Sequence, residues 1–228
     1  MLVKKWTNYI KKLDRNSVPE PSCLKKYKYG QDDWSVLSRN KTENQEIWDS
    51  LLPLQSENCA YCESGLSHHR HIEHFFQRNT NGYEHLTFVW DNIFGSCCNP
   101  NSCGKYKDDK FKGDLTKIIK PDLDDPNDYF IFLRNGNIQI KEGLNESEKI
   151  KAELTLSAFN LNGDTKLVNS RSAAIKPYIK EADEIYSLIG SDESALEIIK
   201  VLIDEKIQEI SSQPFSTALI HLFQYNQY

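Results

Sequence analysis

The chain lacks what would take it out of water. No apolar stretch approaches the roughly 20 residues that span a bilayer, and the lysines near the N-terminus have no apolar run behind them. The sequence therefore predicts neither a membrane segment nor a secretory leader, and a cytoplasmic protein is expected. Methionine occurs once and glycine only 10 times in 228 residues, with no repeat and no low-complexity segment. Collagen-like and linker-like chains are excluded. The phosphate-cradling pattern G-x-x-x-x-G-K-[ST] is absent, so any nucleotide dependence has to come from another protein. An overall surplus of positive charge is missing too, the formal net charge being −5. Its distribution is uneven. Residues 1–30 carry eight Lys and Arg against two acids, and six lysines lie between Cys103 and Pro121. Phosphate binding needs local positive potential rather than a basic total, although a lysine cluster is equally what a solvated surface looks like.

Cysteine is what the chain has in an informative place. Five of its six cysteines, Cys59, Cys62, Cys97, Cys98 and Cys103, fall within 45 residues, while Cys23 stands apart. In a reducing compartment such knuckles point to a metal rather than to disulfides. Cys59-Ala60-Tyr61-Cys62 lets two thiolates converge on one ion, and a second pair, Cys97 or Cys98 with Cys103, can close a tetrahedron. Four thiolates around one ion make a closed structural Zn2+ site. A redox pair is the competing reading, but it has no use for the second knuckle.

Between the knuckles, residues 68–76 read HHRHIEHFF, four of the six histidines within seven residues. As a strand, this segment puts His71 and Glu73 on one face and Ile72 and His74 on the other. Trp90-Asp91-Asn92-Ile93 precedes the second cysteine pair, and Cys103-Gly104-Lys105-Tyr106-Lys107-Asp108 reads as a helix start with a basic first turn.

The order C-x2-C, Glu-His, Asn-Ile, C…C-G-x-x-K resembles the zinc-stapled HNH endonucleases, and among them the PtuB-like proteins of the Septu and retron-associated anti-phage systems. Cys-Ala-Tyr-Cys-Glu at 59–63, Ile-Glu-His-Phe at 72–75, Trp-Asp-Asn-Ile-Phe-Gly-Ser-Cys at 90–97 and Cys-Gly-Lys-Tyr-Lys-Asp at 103–108 carry the resemblance. Segments around Pro19–Leu24, Trp34, Leu161–Asn162 and Arg171 look similar as well. The resemblance implies a ββα-metal core, Cys97 as the fourth zinc ligand, and a nuclease effector working beside a PtuA-like ATPase subunit. Two positions depart from the family pattern. Gly104 stands where many HNH enzymes carry an Asn or His metal ligand, with Asp108, Asn99 or Asn101 as possible substitutes, and Gln77-Arg78 stands in place of Pro-Lys.

Phosphodiester hydrolysis needs an activated water and positive charge for the phosphate. A neutral imidazole takes a proton from water near pH 7, which makes His74 the candidate general base. Glu73 is the candidate ligand for Mg2+ or Mn2+, and Asn92 holds either the loop or the His74 ring. Lys107 and Lys105 are the candidate phosphate contacts, with DNA placed ahead of RNA. The bland alternatives are His74 as a zinc ligand, Glu73 simply paired with a lysine, and Trp90 as a core residue. The competing function is a zinc-knuckle module that binds nucleic acid or a partner without catalysis.

The expected fold class is α+β: a small ββα core with a zinc knuckle, a β-hairpin and a mostly helical C-terminal half. Residues 1–53 form a basic arm and a packing helix near 44–52, residues 54–120 the nuclease core, and residues 121–228 the hairpin and helices. YFIFL at 129–133 and IQI at 138–140 flank Arg134-Asn135-Gly136-Asn137, a strong hairpin signal. Apolar residues recur at helical spacing over 146–160, 164–188, 194–211 and 215–225, with Pro177 breaking the second stretch. Ile198, Ile199, Leu202, Ile203 and Ile210 read as core positions of the third. The segment 143–228 holds 13 acids against 8 bases, so it suits a scaffold or a partner-docking surface better than nucleic acid.

Overall fold

The computed structural model describes residues 11–67, 69–79, 82–188 and 193–225. The basic stretch 1–10 and His68 lie outside the described residues. Two short helices, α1 (Trp34–Arg39) and α2 (Lys41–Leu54), come first. Asn40 caps α2 by accepting from the N–H groups of Thr42 and Glu43, which supplies partners for two of the helix's free donors. Ile47, Trp48, Leu51 and Leu54 then fall on one buried stripe, and Pro53 sits in the last turn. The helix is longer at both ends than its apolar pattern suggests, because residues 41–43 are polar and Pro53, read as a stop, is accommodated inside the last turn.

Next come β1 (Arg70–His74) and β2 (Ile93–Cys97), paired antiparallel with Glu73 opposite Phe94 and His74 opposite Ile93. Helix α3 (Cys103–Lys110) follows and packs on β2. Gly95 lets α2 lie directly on this sheet: a Cβ there would meet the Trp48 ring at 2.9 Å. The Gln55 amide, at the end of α2, donates to the Gly95 carbonyl and accepts from its N–H at 2.9 and 2.8 Å, so α2 and β2 are tied through backbone polar groups.

A second antiparallel pair, β3 (Phe130–Phe132) and β4 (Ile138–Ile140), closes through a turn in which Gly136 has φ +85°. This is the expected hairpin. Helices α4 (Glu146–Phe159), α5 (Thr165–Ile175), α6 (Ile179–Ser187), α7 (Glu193–Ile210) and α8 (Ser216–Tyr225) complete the chain. Pro177 sits in a 3-10 turn, Lys176–Tyr178, between α5 and α6, as its missing N–H demands. Mixed helices and two small sheets make this an α+β fold. None of the described helices is long and apolar enough to cross a membrane.

One buried apolar cluster runs from Leu24 through Phe94 to Phe223, so the knuckle region and the helical half share a core. Glu63 stitches them further. Held at φ +62°, it turns its carboxylate onto the start of α8, accepting from the Thr217 N–H at 2.9 Å and pairing with Lys11 at 3.1 Å.

Over its described part, residues 11–18, the expected basic arm is fastened to the core, because Arg15 finds its partners inward. It pairs with Asp122 at 2.8 Å, donates to the carbonyls of Trp90 and Ile93 at 2.9 and 3.0 Å, and lies over the Trp90 and Phe94 rings.

Candidate metal centre and histidine cleft

The sulfurs of Cys59, Cys62, Cys97 and Cys103 all lie within 4.8 Å of one another. Cys62 and Cys97 Sγ are 3.9 Å apart. Bonds of about 2.3 Å to a tetrahedral ion place sulfurs roughly 3.8 Å apart, so the four residues fit a metal ion. The Cys97 N–H donates to Cys59 Sγ at 3.4 Å, the kind of bond that steadies a thiolate. Burial works against the Cys59 thiolate, yet the neighbouring thiols of Cys103, Cys62 and Cys97 hold its pKa well below normal. Burial, together with its bond to Cys59, pushes the Cys103 thiol well up. Four converging sulfurs, three of them on buried residues, are a cluster that a soft cation stabilises. The spacing leaves Cys97 and Cys98 equivalent; the fold separates them. Cys97 turns into the cluster, while Cys98 Sγ lies 3.8 Å from His71 Nδ1.

Next to this centre, the end of β1 and the first turns of α3 form a cleft lined by His71, Ile72, Glu73, His74, Gln77, Arg78, Asn79, Lys105, Asp108 and Asp109. His74 is 6% exposed, its ring edge-on to Trp34 at 4.4 Å. Its Nε2 lies 2.9 Å from the Thr87 carbonyl oxygen. A carbonyl only accepts, so Nε2 carries the proton and Nδ1 keeps the lone pair. Burial lowers the His74 pKa to about 4, against the pull of the Thr87 bond, so the ring is neutral at pH 7. His74 is not among the metal-holding cluster.

Glu73 is buried against the first turn of α3. A Cβ on Gly104 would sit 2.4 Å from its carboxylate, so the glycine is what lets the acid lie there. Oε2 is 3.1 Å from His71 Nε2 and Oε1 is 2.9 Å from Lys107 Nζ. Burial opposes the carboxylate, but Lys107 and His71 hold its pKa below the usual glutamate value.

Lys107 is only 1% exposed, its ammonium enclosed by Glu73, Asp108 and, at 3.2 Å, the His74 carbonyl. Lys107, expected at phosphate, is placed on the Cys103 face of α3, one turn on, and points inward. Lys105 holds the outward, exposed position. Asn92 takes the loop-holding role rather than orienting the imidazole. Its side chain accepts from the Phe76 N–H at 2.8 Å and donates to the Phe76 carbonyl at 3.0 Å.

Of the possible substitutes for a ligand at 104, Asp108 reaches the cleft, whereas Asn99 donates to Asp164 at 2.6 Å. Trp90 is a core residue under Arg15, and His69 and His85 are exposed. The Thr87 carbonyl has no signature in the sequence, since any residue offers one. The burial of Lys107 does have a signal, its i+4 spacing from a cysteine of the candidate metal cluster.

Comparison of the sequence with protein-family models and with curated proteins gives no match. The functional reading rests on the site itself.

Proposed function

We propose that the chain is an HNH-type endonuclease that hydrolyses nucleic-acid phosphodiester bonds, with Zn2+ on Cys59, Cys62, Cys97 and Cys103 as a structural staple. The observation that carries this reading is the state of His74: a neutral ring, its Nε2 proton committed to Thr87, on a residue that lines an open cleft. That leaves Nδ1 free to take a proton from water as the water attacks phosphorus. Arg78 and Lys105 at the same cleft supply positive charge for the phosphate, and Asn92 fixes the loop that carries Thr87.

The divalent ion expected on Glu73 fits less well. Gly104 provides no ligand, and both Glu73 oxygens already face cationic or proton-donating neighbours. No step is therefore routed through Mg2+ or Mn2+.

The resemblance to PtuB-like proteins, with DNA ahead of RNA, makes this nuclease an anti-phage effector acting with a PtuA-like ATPase. Ile198 and Val201, 60% and 54% exposed on α7, support a docking face for such a partner. The competing reading, a zinc-stapled binding module, is favoured by the neutralised Glu73 carboxylate.

A DNA and RNA panel, with Mg2+ or Mn2+ against EDTA and with and without the ATPase, separates the two. An endonuclease loses about 100- to 10,000-fold in rate on His74→Ala while keeping its zinc. A binding module cleaves nothing in any arm and keeps its affinity in the variant.

A further inference from the structure

Lys107 has an unusual position for a lysine. Its side chain is 1% exposed on a helix whose outer face is open to solvent, and the ammonium points at the cleft wall rather than at water. A buried ammonium needs all three of its protons matched. Here hydrogen bonds go to an Asp108 oxygen and, at 3.2 Å, to the His74 carbonyl, while Glu73 Oε1 lies 2.9 Å away as an ion-pair partner outside hydrogen-bond geometry. These are three oxygens from β1 and α3, two of them carboxylate, the donor set a hard cation would use. Lys107 Nζ lies within 3.2 Å of all three. Mg2+ wants oxygens at about 2.0–2.1 Å and tolerates little deviation. Gly104 completes the arrangement, because any side chain at that position would strike the Glu73 carboxylate and dislodge it from Lys107.

We infer that Lys107 is the resident cation of the cleft: its ammonium occupies the position between Glu73, Asp108 and the His74 carbonyl, and so keeps a divalent ion from binding there. Lys107 cancels a carboxylate that would otherwise repel an incoming phosphate, and the Glu73–Lys107 pair holds the end of β1 in register with α3. The inference deepens the nuclease reading, but it concerns metal affinity in the absence of nucleic acid and fails separately from cleavage.

The test is a Mn2+ titration of the zinc-loaded full chain, followed by electron paramagnetic resonance, with wild type, K107M and E73Q/K107M side by side. Methionine fills the space of the lysine stem without its charge. Wild type is expected to bind no Mn2+ more tightly than about 1 mM. K107M is expected to gain affinity by about tenfold or more, as two carboxylates lose their internal cation, and E73Q/K107M to lose that gain. Equal Mn2+ affinity in wild type and a zinc-retaining K107M would overturn the inference. Should K107M fail to retain zinc, wild type decides alone. Micromolar Mn2+ binding to wild type would overturn it, and absence of such binding supports it.

Discussion

Residues 54–120 bury Glu73, His74, Asn92, Ser96 and Lys107 around four cysteines, whereas the C-terminal helices bury Ile199, Ile203, Ile207, Ile210, Leu219 and Phe223. The first region is held by directional contacts: amide to backbone, ammonium to carboxylate, imidazole to carbonyl. The second is held by apolar area, which is non-directional and tolerant of substitution if volume is kept. Most buried polar groups of the first region have a particular partner, so removing one strands another, although Tyr61 Oη, Glu73 Oε1 and Trp90 Nε1 have no hydrogen-bond partner. A site that must hold a neutral histidine beside a buried ion pair needs that kind of interior. A scaffold does not.

Metal removal should show the contrast most strongly. Stripping the four-cysteine centre with a chelator, or Cys62→Ser, is expected to abolish the near-ultraviolet signal of Trp48 and Trp90. Structural zinc contributes on the order of 10 kcal/mol to small metal-built folds. Far-ultraviolet helicity should largely remain, and its loss in step with the aromatic signal would show that the two regions do not differ in this way.

Arg171 is one of several buried polar groups inside the helical half, with Asp164 and His221 among the others. Fully buried, it donates to the carbonyls of Gly136 and, at 3.3 Å, Leu161, and so fastens the hairpin turn to α5. Arg171→Met is expected to cost about 3 kcal/mol in urea unfolding, since two carbonyls lose their donor. A change under about 0.5 kcal/mol would mean that water satisfies them equally well.

Gly104→Ala tests the crowding around Glu73. With its Cβ 2.4 Å from the carboxylate, the variant should lose about 1–3 kcal/mol and disturb the Glu73–Lys107 pair. Wild-type stability in Gly104→Ala would show that Glu73 can move aside freely. The smallest effect is expected at Ile198→Ser on the exposed face of α7, within about 0.5 kcal/mol in the isolated chain. A larger loss would mean that Ile198 packs against this chain after all.

The same contrast decides what is legible in the sequence. Helices α4 to α8 and the hairpin follow from apolar spacing, Gly136 and Pro177, because period and turn chemistry are local properties. Ile198 reads as core and is exposed for a related reason: it adjoins Ile199, but α7 buries the stripe through 199, 203, 207 and 210. In the metal region, the residue types announce a centre and the spacing leaves two candidates for its fourth ligand. The difference between Cys97 and Cys98 depends on how β2 ends, which is a tertiary matter. Lys107 reads as a phosphate contact and Arg15 as part of a basic arm because their partners, Glu73 and Asp122, are distant in sequence and near in space.

The pH dependence of cleavage tests the central claim most directly. A base must be unprotonated to act, and burial holds the His74 pKa down to about 4, below the ordinary histidine value of about 6.5. The wild-type rate on a cleaved substrate should therefore stay level as the pH falls through 6.5 to about 5, dropping only nearer 4. A decline centred near 6.5, or an unchanged rate and profile in His74→Ala, would contradict the assignment of His74 as the base.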